Sequence, residues 1–458
     1  MSMRSLTTKD GICEAFKNLC LTLFQNNTPA DMTHLLVLCS SLFILNSVKP
    51  IRSLYDQCMS HISQNSLNTY YNTINKEGLT DGWKNTIVKW ALSAIPKEFP
   101  NAPILITIDD TIIPKYGENF EDVAVIFDHC ARNGSNYLNG HCFVGILLSV
   151  PVLINYQLRY VKIPIEYNLS VPAKERSEDD KNKLQMACDM ITNLLSIMTP
   201  EQARRSVILC DAWYSKAPIT EMRNCDGNHF DMVCAVRKDT VCRSLEIEQP
   251  KLGRKRIYGD RIEVDDLPMM AIPGENYQIC SFQATTNIFK GRVVTVYVTK
   301  PKNGNGAEQL FICTNPDLFS KLDLSFLPKK ETRDFYGSHP ELLGYVAYKF
   351  RWHLETVFYE QKTFWGLGDY RMRSRTGFMN FVNLICTMYA LTSLLPFLDP
   401  KFADLQTCSI QQRRFWVGKQ INRELILRDF VTYVENLNNS EPIAISLQNY
   451  CNSNAVNW

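Results

Sequence analysis

The sequence predicts an α/β protein with a mixed-sheet core, a helical front end and an inserted antiparallel β region, and three changes of texture along the chain predict it. Helical periodicity runs through residues 10–95, in segments such as ADMTHLLVLCSSLFIL and DGWKNTIVKWALSAI, divided by polar turns that carry Ser, Thr and Asp start signals. From about residue 103 apolar, β-branched runs take over: PILITID, HCFVGILLSVPVLI and YVKIPIEY, then the helical KNKLQMACDMITNLLSIM, then SVILCD. Strands followed by helix and strand argue for an α/β core with a mixed sheet. Between 229 and 315 the runs FDMVCAVR, RIEVDD, YQICSFQATT, RVVTVYVT and EQLFICT alternate over short spans with almost no helical pattern, which predicts inserted antiparallel strands.

In chain order the expected units are a helical DNA-binding domain at 1–98, the first part of the core at 99–228, an inserted β domain at 229–315, the second part of the core at 316–400, and a helical C-terminal region at 401–458 suited to dimerisation. No internal repeat marks a solenoid. The front end has room for a helix-turn-helix but no diagnostic recognition pattern.

Composition excludes several function classes. A formal net charge of +2 on 458 residues leaves no dedicated basic tail, so contacts with nucleic acid must come from local patches. The sixteen cysteines contain no CxxC pair, and MSMRSLTTKDGICEAF lacks an apolar secretory region; reduced thiols in a cytoplasmic protein are the expectation. The stretch FMNFVNLICTMYALTSLLPFL is long enough to raise a membrane question, but Asn380 and Asn383 interrupt it, and a buried core helix is expected instead, with no membrane partner. The His-Cys pairs at 129–130 and 141–142 are read as strand residues rather than zinc ligands, because their spacing lacks a second pair of ligands.

The chemistry lies in the acids. ILITID ends in Asp109 and Asp110, and SVILCD ends in Asp211; both are apolar runs of the buried-strand type that stop at a carboxylate, where sites of open α/β sheets gather. Either acid alone could cap a helix or shape a turn. A third acid follows on the helical run YKFRWHLETVFYEQK at 348–362, where Tyr348, Arg351, Glu355 and Lys362 fall within an arc of roughly 60°. Leu343, Val346, Phe350, Leu354 and Val357 take the opposite, core-facing side. An Arg351–Glu355 pair one helical turn apart could be a plain surface ion pair. Three carboxylates brought together instead call for a hard cation, Mg²⁺ or Mn²⁺, and two such ions can both activate a water or hydroxyl and stabilise the leaving oxyanion in phosphodiester cleavage.

These residues resemble a family, the prokaryotic insertion-sequence transposases of the DDE type with a ribonuclease-H-like core, in the group with a Tyr-Arg-Glu-Lys signature. The signature's spacing, Tyr then two residues, Arg, three residues, Glu, six residues, Lys, is met by Tyr348, Arg351, Glu355 and Lys362. The resemblance implies that Asp109 or Asp110, Asp211 and Glu355 are the catalytic acids, with Asp109, Asp211 and Glu355 holding two Mg²⁺ or Mn²⁺ ions; Asp109 is favoured within the doublet, and Asp110 stays open. It also implies that Tyr348, Arg351 and Lys362 contact phosphates. Some relatives excise through a hairpin and stack a flipped base on a Trp in the β insertion. Leu310 stands near that place here, so Phe311 and Trp352 are the aromatic candidates.

Further candidate DNA contacts are Arg254, Lys255 and Arg256 in the basic turn KLGRKRIYGDR, and Arg371, Arg373 and Arg375 at alternate positions of DYRMRSRTG. The expected function is metal-dependent cut-and-paste transposition: binding of terminal inverted repeats, cleavage and strand transfer, by a homodimer on double-stranded DNA, in the cytoplasm with the nucleoid. A transposase-derived DNA-binding or regulatory protein that no longer transposes is the alternative, and a ribonuclease-H-fold repair nuclease is disfavoured by the β insertion and the signature helix.

Overall fold

The computed structural model describes residues 11–437 apart from 47–49, 118, 129–135, 175, 179, 225, 250–252, 265–266 and 305. Its centre is β1 (Ile104–Pro114), a strand rich in β-branched residues whose first half is fully buried. The strand β3 (Tyr137–Ile154) lies antiparallel to β1 on one side and antiparallel to β4 (Gln157–Ser170) on its other side. On the opposite side of β1, β5 (Ser206–Cys210) runs parallel, and β6 (Asp231–Val236) runs parallel to β5. Three antiparallel strands continued by two parallel ones, in the order β4-β3-β1-β5-β6, make a ribonuclease-H-like mixed sheet. The chain crosses from β4 to β5 through the helix Lys183–Ile197, which starts at an Asn182–Gln185 capping box.

The inserted strands require a correction to the expected division. FDMVCAVR, read as the start of the insertion, contains β6, the fifth strand of the core itself. The edge of β6 is then taken by β11 (Gln309–Cys313), followed by β10 (Val293–Pro301), β9 (Tyr277–Thr286) and β7 (Cys242–Arg243), all antiparallel. With β2 (Ala124–Phe127) on β3 and β8 (Met270–Ala271) on β9, the described residues form one sheet of eleven strands, so the insertion lengthens the sheet rather than forming a separate β domain. Covering the β6 edge satisfies backbone groups that an unpaired edge would leave bare.

The helix Arg375–Leu398 is the core helix expected from its apolar run. It is long and apolar enough to cross a membrane by composition, yet 83% of that window is buried inside the protein. Its two asparagines explain themselves as docking groups. Asn383 accepts from Tyr167 N at 2.9 Å and donates to Tyr167 O at 3.1 Å, acting as a strand partner for β4, while Asn380 donates to Ile74 O and Lys76 O, both at 2.8 Å, at the end of the front-end helix Leu67–Ile74.

The front end shares one hydrophobic core with the sheet rather than standing apart. Its helix Pro29–Ile44 begins at a Thr28 cap and ends against the helix Ile410–Leu437. There the fully buried Arg414 donates to Leu42 O at 2.8 Å, to Leu45 O at 2.6 Å and to Phe364 O. One guanidinium thus satisfies carbonyls at the C-terminal ends of two helices, which have no partners within their own helices. Gly418 allows this approach, since a Cβ there would meet Phe43 O at 2.0 Å.

Candidate active site

β5 stops at Cys210, which pairs with Ile108, so Asp211 emerges from the sheet beside Asp109. Strand alternation turns Asp109 and Asp110 to opposite faces. Asp109 Oδ2 accepts from Arg351 Nη1 at 2.7 Å, and the same guanidinium donates through Nη2 to Glu355 Oε1 at 2.5 Å. Burial pushes the Asp109 carboxyl up to about 7; Arg351 opposes that rise, and the neighbouring charges of Asp211 and Asp110 add to it. Asp211 Oδ1 accepts from Trp213 N at 3.0 Å and Tyr214 N at 3.1 Å, a local turn that fixes its carboxylate at the strand end. The structure therefore joins Asp109 and Glu355 through Arg351, with Asp211 close enough to Asp109 for its charge to be felt.

The signature run is not one continuous helix. It forms Leu343–Tyr348, a 3₁₀ turn at Lys349–Arg351, and a second helix, Trp352–Phe364. The expected core positions Leu343, Val346, Phe350, Leu354 and Val357 are all buried. Tyr348 is a correction: it is only 8% exposed, its ring is 4.7 Å from that of Phe311 and it belongs to the core rather than to an open polar face. The tighter turn between Tyr348 and Arg351 breaks the 100° step on which the common arc was built. Lys362 stays on the site's side, donating to Ile112 O of β1 at 2.9 Å. Burial lowers its pKa. Close packing seats the second helix: a Cβ on Gly145, the partner of Asp109 across β1 and β3, would lie 2.6 Å from the Tyr167 ring and 3.1 Å from Phe358.

Asp110 serves another group of side chains. It accepts from Lys183 at 2.7 Å, from Tyr214 Oη at 3.1 Å and from the Cys142 thiol at 3.3 Å. Sequence reasoning did not single out Lys183, Trp213 or Lys216, although DAWYSK follows directly on the second strand's acid. Lys115 was not singled out either; it donates to Gly368 O at 2.8 Å and Tyr370 O at 3.2 Å and ties the segment after the signature helix to the end of β1.

Of the two aromatic candidates, Phe311 is corrected. It is 5% exposed and packed on Tyr345 and Tyr348, so alternation along β11 turns it into the core. Trp352 is 57% exposed beside Arg351. Arg254, Lys255 and Arg256 are exposed on their turn, Arg256 paired with Asp260 at 3.0 Å. Arg371 and Arg373 are exposed on an extended segment, whereas Arg375 opens the helix Arg375–Leu398 and pairs with Asp180 at 3.2 Å, so the three do not form one free row. His141 is a core residue, bonded to Tyr370 Oη and Glu121 O, and the pair at 129–130 lies outside the described residues.

Among the described residues no three His, Cys, Asp or Glu side chains stand close enough together to hold a metal ion as they are placed. Between Asp109 and Glu355 lies instead the Arg351 guanidinium, with its buried Nε lacking a partner.

A search of curated protein sequences finds no match. Among solved structures, the chain is similar to the piggyBac transposase in a cryo-EM synaptic complex with hairpin DNA, at 11% identity and a TM-score of 0.44, over 97% of this chain and 76% of that one. Residues 46–279, just over half of the chain and inclusive of Asp109, Asp110 and Asp211, match the DDE superfamily endonuclease domain, and the chain belongs to that family.

Proposed function

We propose that this chain is a DNA transposase of the prokaryotic insertion-sequence group with the Tyr-Arg-Glu-Lys signature, cleaving the ends of its own element and joining them to target DNA. The observation that carries the reading is the single guanidinium of Arg351 bridging Asp109, on the central strand, and Glu355, on the signature helix, beside Asp211. Family membership supports nuclease chemistry, and endonucleases of this family typically use divalent metals.

The donor set suits such ions. Three carboxylates are hard oxygen ligands for Mg²⁺ or Mn²⁺, and the cation now between two of them is a stand-in for the positive charge the site needs. Asp109, Asp211 and Glu355 would hold the metal, which supplies Lewis acidity at the scissile phosphate and lowers the pKa of the attacking water or 3′ hydroxyl. Arg351, freed from the acids, would hold a phosphate through its planar fork, and Lys362 would add a point charge. Tyr348 acts from within the core, supporting Arg351, whose guanidinium carbon lies 5.7 Å from its ring. Terminal-repeat binding by the front-end helices, two ions per site, a homodimer in the DNA complex and hairpin excision complete the reading as the family resemblance implies.

The test is cleavage and strand transfer on DNA carrying the inverted repeats that flank the gene. Asp211→Asn and Glu355→Gln should each lower metal-dependent cleavage by about three orders of magnitude or more while end binding survives. Wild-type end binding without any metal-dependent cleavage would favour the transposase-derived regulatory protein instead.

A further inference from the structure

A second feature stands just past the C-terminal end of β5, on the side served by Asp110 and joined to the candidate site through the turn at Asp211. Trp213, two residues past the acid that ends β5, is 42% exposed, although tryptophan is among the largest apolar side chains. Two cations attend its ring: Lys216 Nζ lies 4.3 Å from the centroid and Lys183 Nζ 5.5 Å. The loop that presents it is fixed at several points. Trp213 N donates to Asp211 Oδ1, Ser215 N donates to Asp211 O at 3.1 Å, and Lys216 N donates to Tyr214 O at 2.7 Å. The Tyr214 ring, buried beneath Trp213 with centroids 4.8 Å apart, is anchored through its hydroxyl to Asp110. An exposed indole on a rigid loop, geared to the candidate catalytic acid by a hydrogen bond, is poorly explained as core packing.

We propose that Trp213, Lys183 and Lys216 form a binding platform for an unpaired DNA nucleotide next to the cleavage site, an inference that rests on the reading of the acids as a DNA-cleaving centre. A base paired and stacked within a duplex cannot offer its face to the indole; one at a nick, gap or single-stranded end can. Lys216 then exchanges its ring contact for a phosphate flanking the stacked base, while Lys183 stays paired with Asp110 at 2.7 Å and adds positive charge beside the ring. Because stacking uses a face every base has, the platform takes any base.

The experiment measures affinity by fluorescence anisotropy, without metal, for a short single-stranded oligothymidylate and for a duplex of equal length. Trp213→Ala should weaken single-strand binding by about tenfold and leave duplex binding nearly unchanged, Trp213→Phe should restore most of the loss, and Lys216→Gln should reduce the slope of log affinity against log salt by about 0.7 for the single strand. Single-strand affinity unchanged in Trp213→Ala, equal losses for both DNAs, or a Phe variant as weak as the Ala variant overturns the platform. The cleavage assay on the Asp211 and Glu355 variants is separate: abolished cleavage with unchanged oligothymidylate binding in Trp213→Ala sinks only this inference, and the converse sinks only the nuclease reading.

Discussion

Arg351 Nη1 donates to Asp109 Oδ2 at 2.7 Å, joining residues 242 positions apart in the sequence. The same arginine reaches Glu355, so one positive charge stands where carboxylates would otherwise repel each other. A divalent ion and this guanidinium compete for the same oxygens. Arg351→Gln should therefore bind Mn²⁺ more tightly than the wild type in the absence of DNA, by about tenfold, the equivalent of one modest charge interaction of about 1.4 kcal/mol. Isothermal titration calorimetry of the DNA-free protein decides it; equal or weaker binding in the variant would mean that the arginine does not compete with metal and serves only to orient the acids.

The doublet at the end of ITIDD divides by face. Asp109→Asn removes a carboxylate from the group shared with Asp211 and should abolish cleavage. Asp110→Asn leaves that group intact and keeps an acceptor for Tyr214, so cleavage should stay within about tenfold of wild type, while the unpaired Lys183 destabilises the fold by about 1–3 kcal/mol. Denaturant unfolding and a cleavage gel on both variants read the two effects separately. A dead Asp110→Asn with full stability would reverse the assignment.

How far the sequence was legible depended on how local each determinant is. Asp211 could be placed because it follows the apolar run that forms β5, whereas β1 runs on past Asp109 and Asp110 to Pro114, so the first acid sits within its strand rather than at its end. The buried positions of the signature run could be placed because five apolar residues recur at helical spacing. Arg351, Glu355 and Lys362 kept to one side for the same reason. Tyr348 did not, since the 3₁₀ turn at Lys349–Arg351 divides the run: Leu343, Val346, Tyr348 and Phe350 bury in one core cluster and Leu354 and Val357 in another, and no residue in that turn announces the change. The pairing of β6 with both β5 and β11 is non-local: FDMVCAVR has the same alternation as the inserted strands, and only its neighbours distinguish core from insertion. Arg414 and Lys115 escaped notice because their partners are backbone carbonyls of distant segments, which leave no mark in side-chain pattern.

The corrected aromatics make a stability prediction. Tyr348 and Phe311 pack ring against ring inside the core formed by the inserted strands and the signature helix. Replacing either by Ala leaves a cavity and should cost about 3–5 kcal/mol, with any loss of DNA binding following from unfolding. Trp352→Ala, at an exposed position, should stay within about 0.5 kcal/mol of wild type. Urea denaturation of the three variants tests this; a fully stable Tyr348→Ala that has lost DNA affinity would return Tyr348 to the DNA-facing set.

The last prediction concerns acid. His141 is fully buried, its ring stacked on Phe378 with centroids 4.4 Å apart. Its Nε2 lies 2.9 Å from Glu121 O, and a carbonyl can only accept, so Nε2 carries the proton and Nδ1 accepts from Tyr370 Oη at 2.6 Å. Burial, opposed by the Glu121 carbonyl, pushes the imidazole pKa down from 6.5 to about 4. The unfolded chain therefore takes up a proton below 6.5 that the folded chain refuses until about 4. The stability of the neutral, doubly bonded ring is complete above the upper of these values and drains away as pH falls towards the lower one, by up to about 1.4 kcal/mol for each pH unit crossed. His141→Gln, which cannot titrate, should begin less stable at neutral pH but lose Tm less steeply across that window. Parallel Tm profiles for the two proteins, measured by differential scanning fluorimetry from neutral pH downwards, would show that His141 does not carry the acid sensitivity.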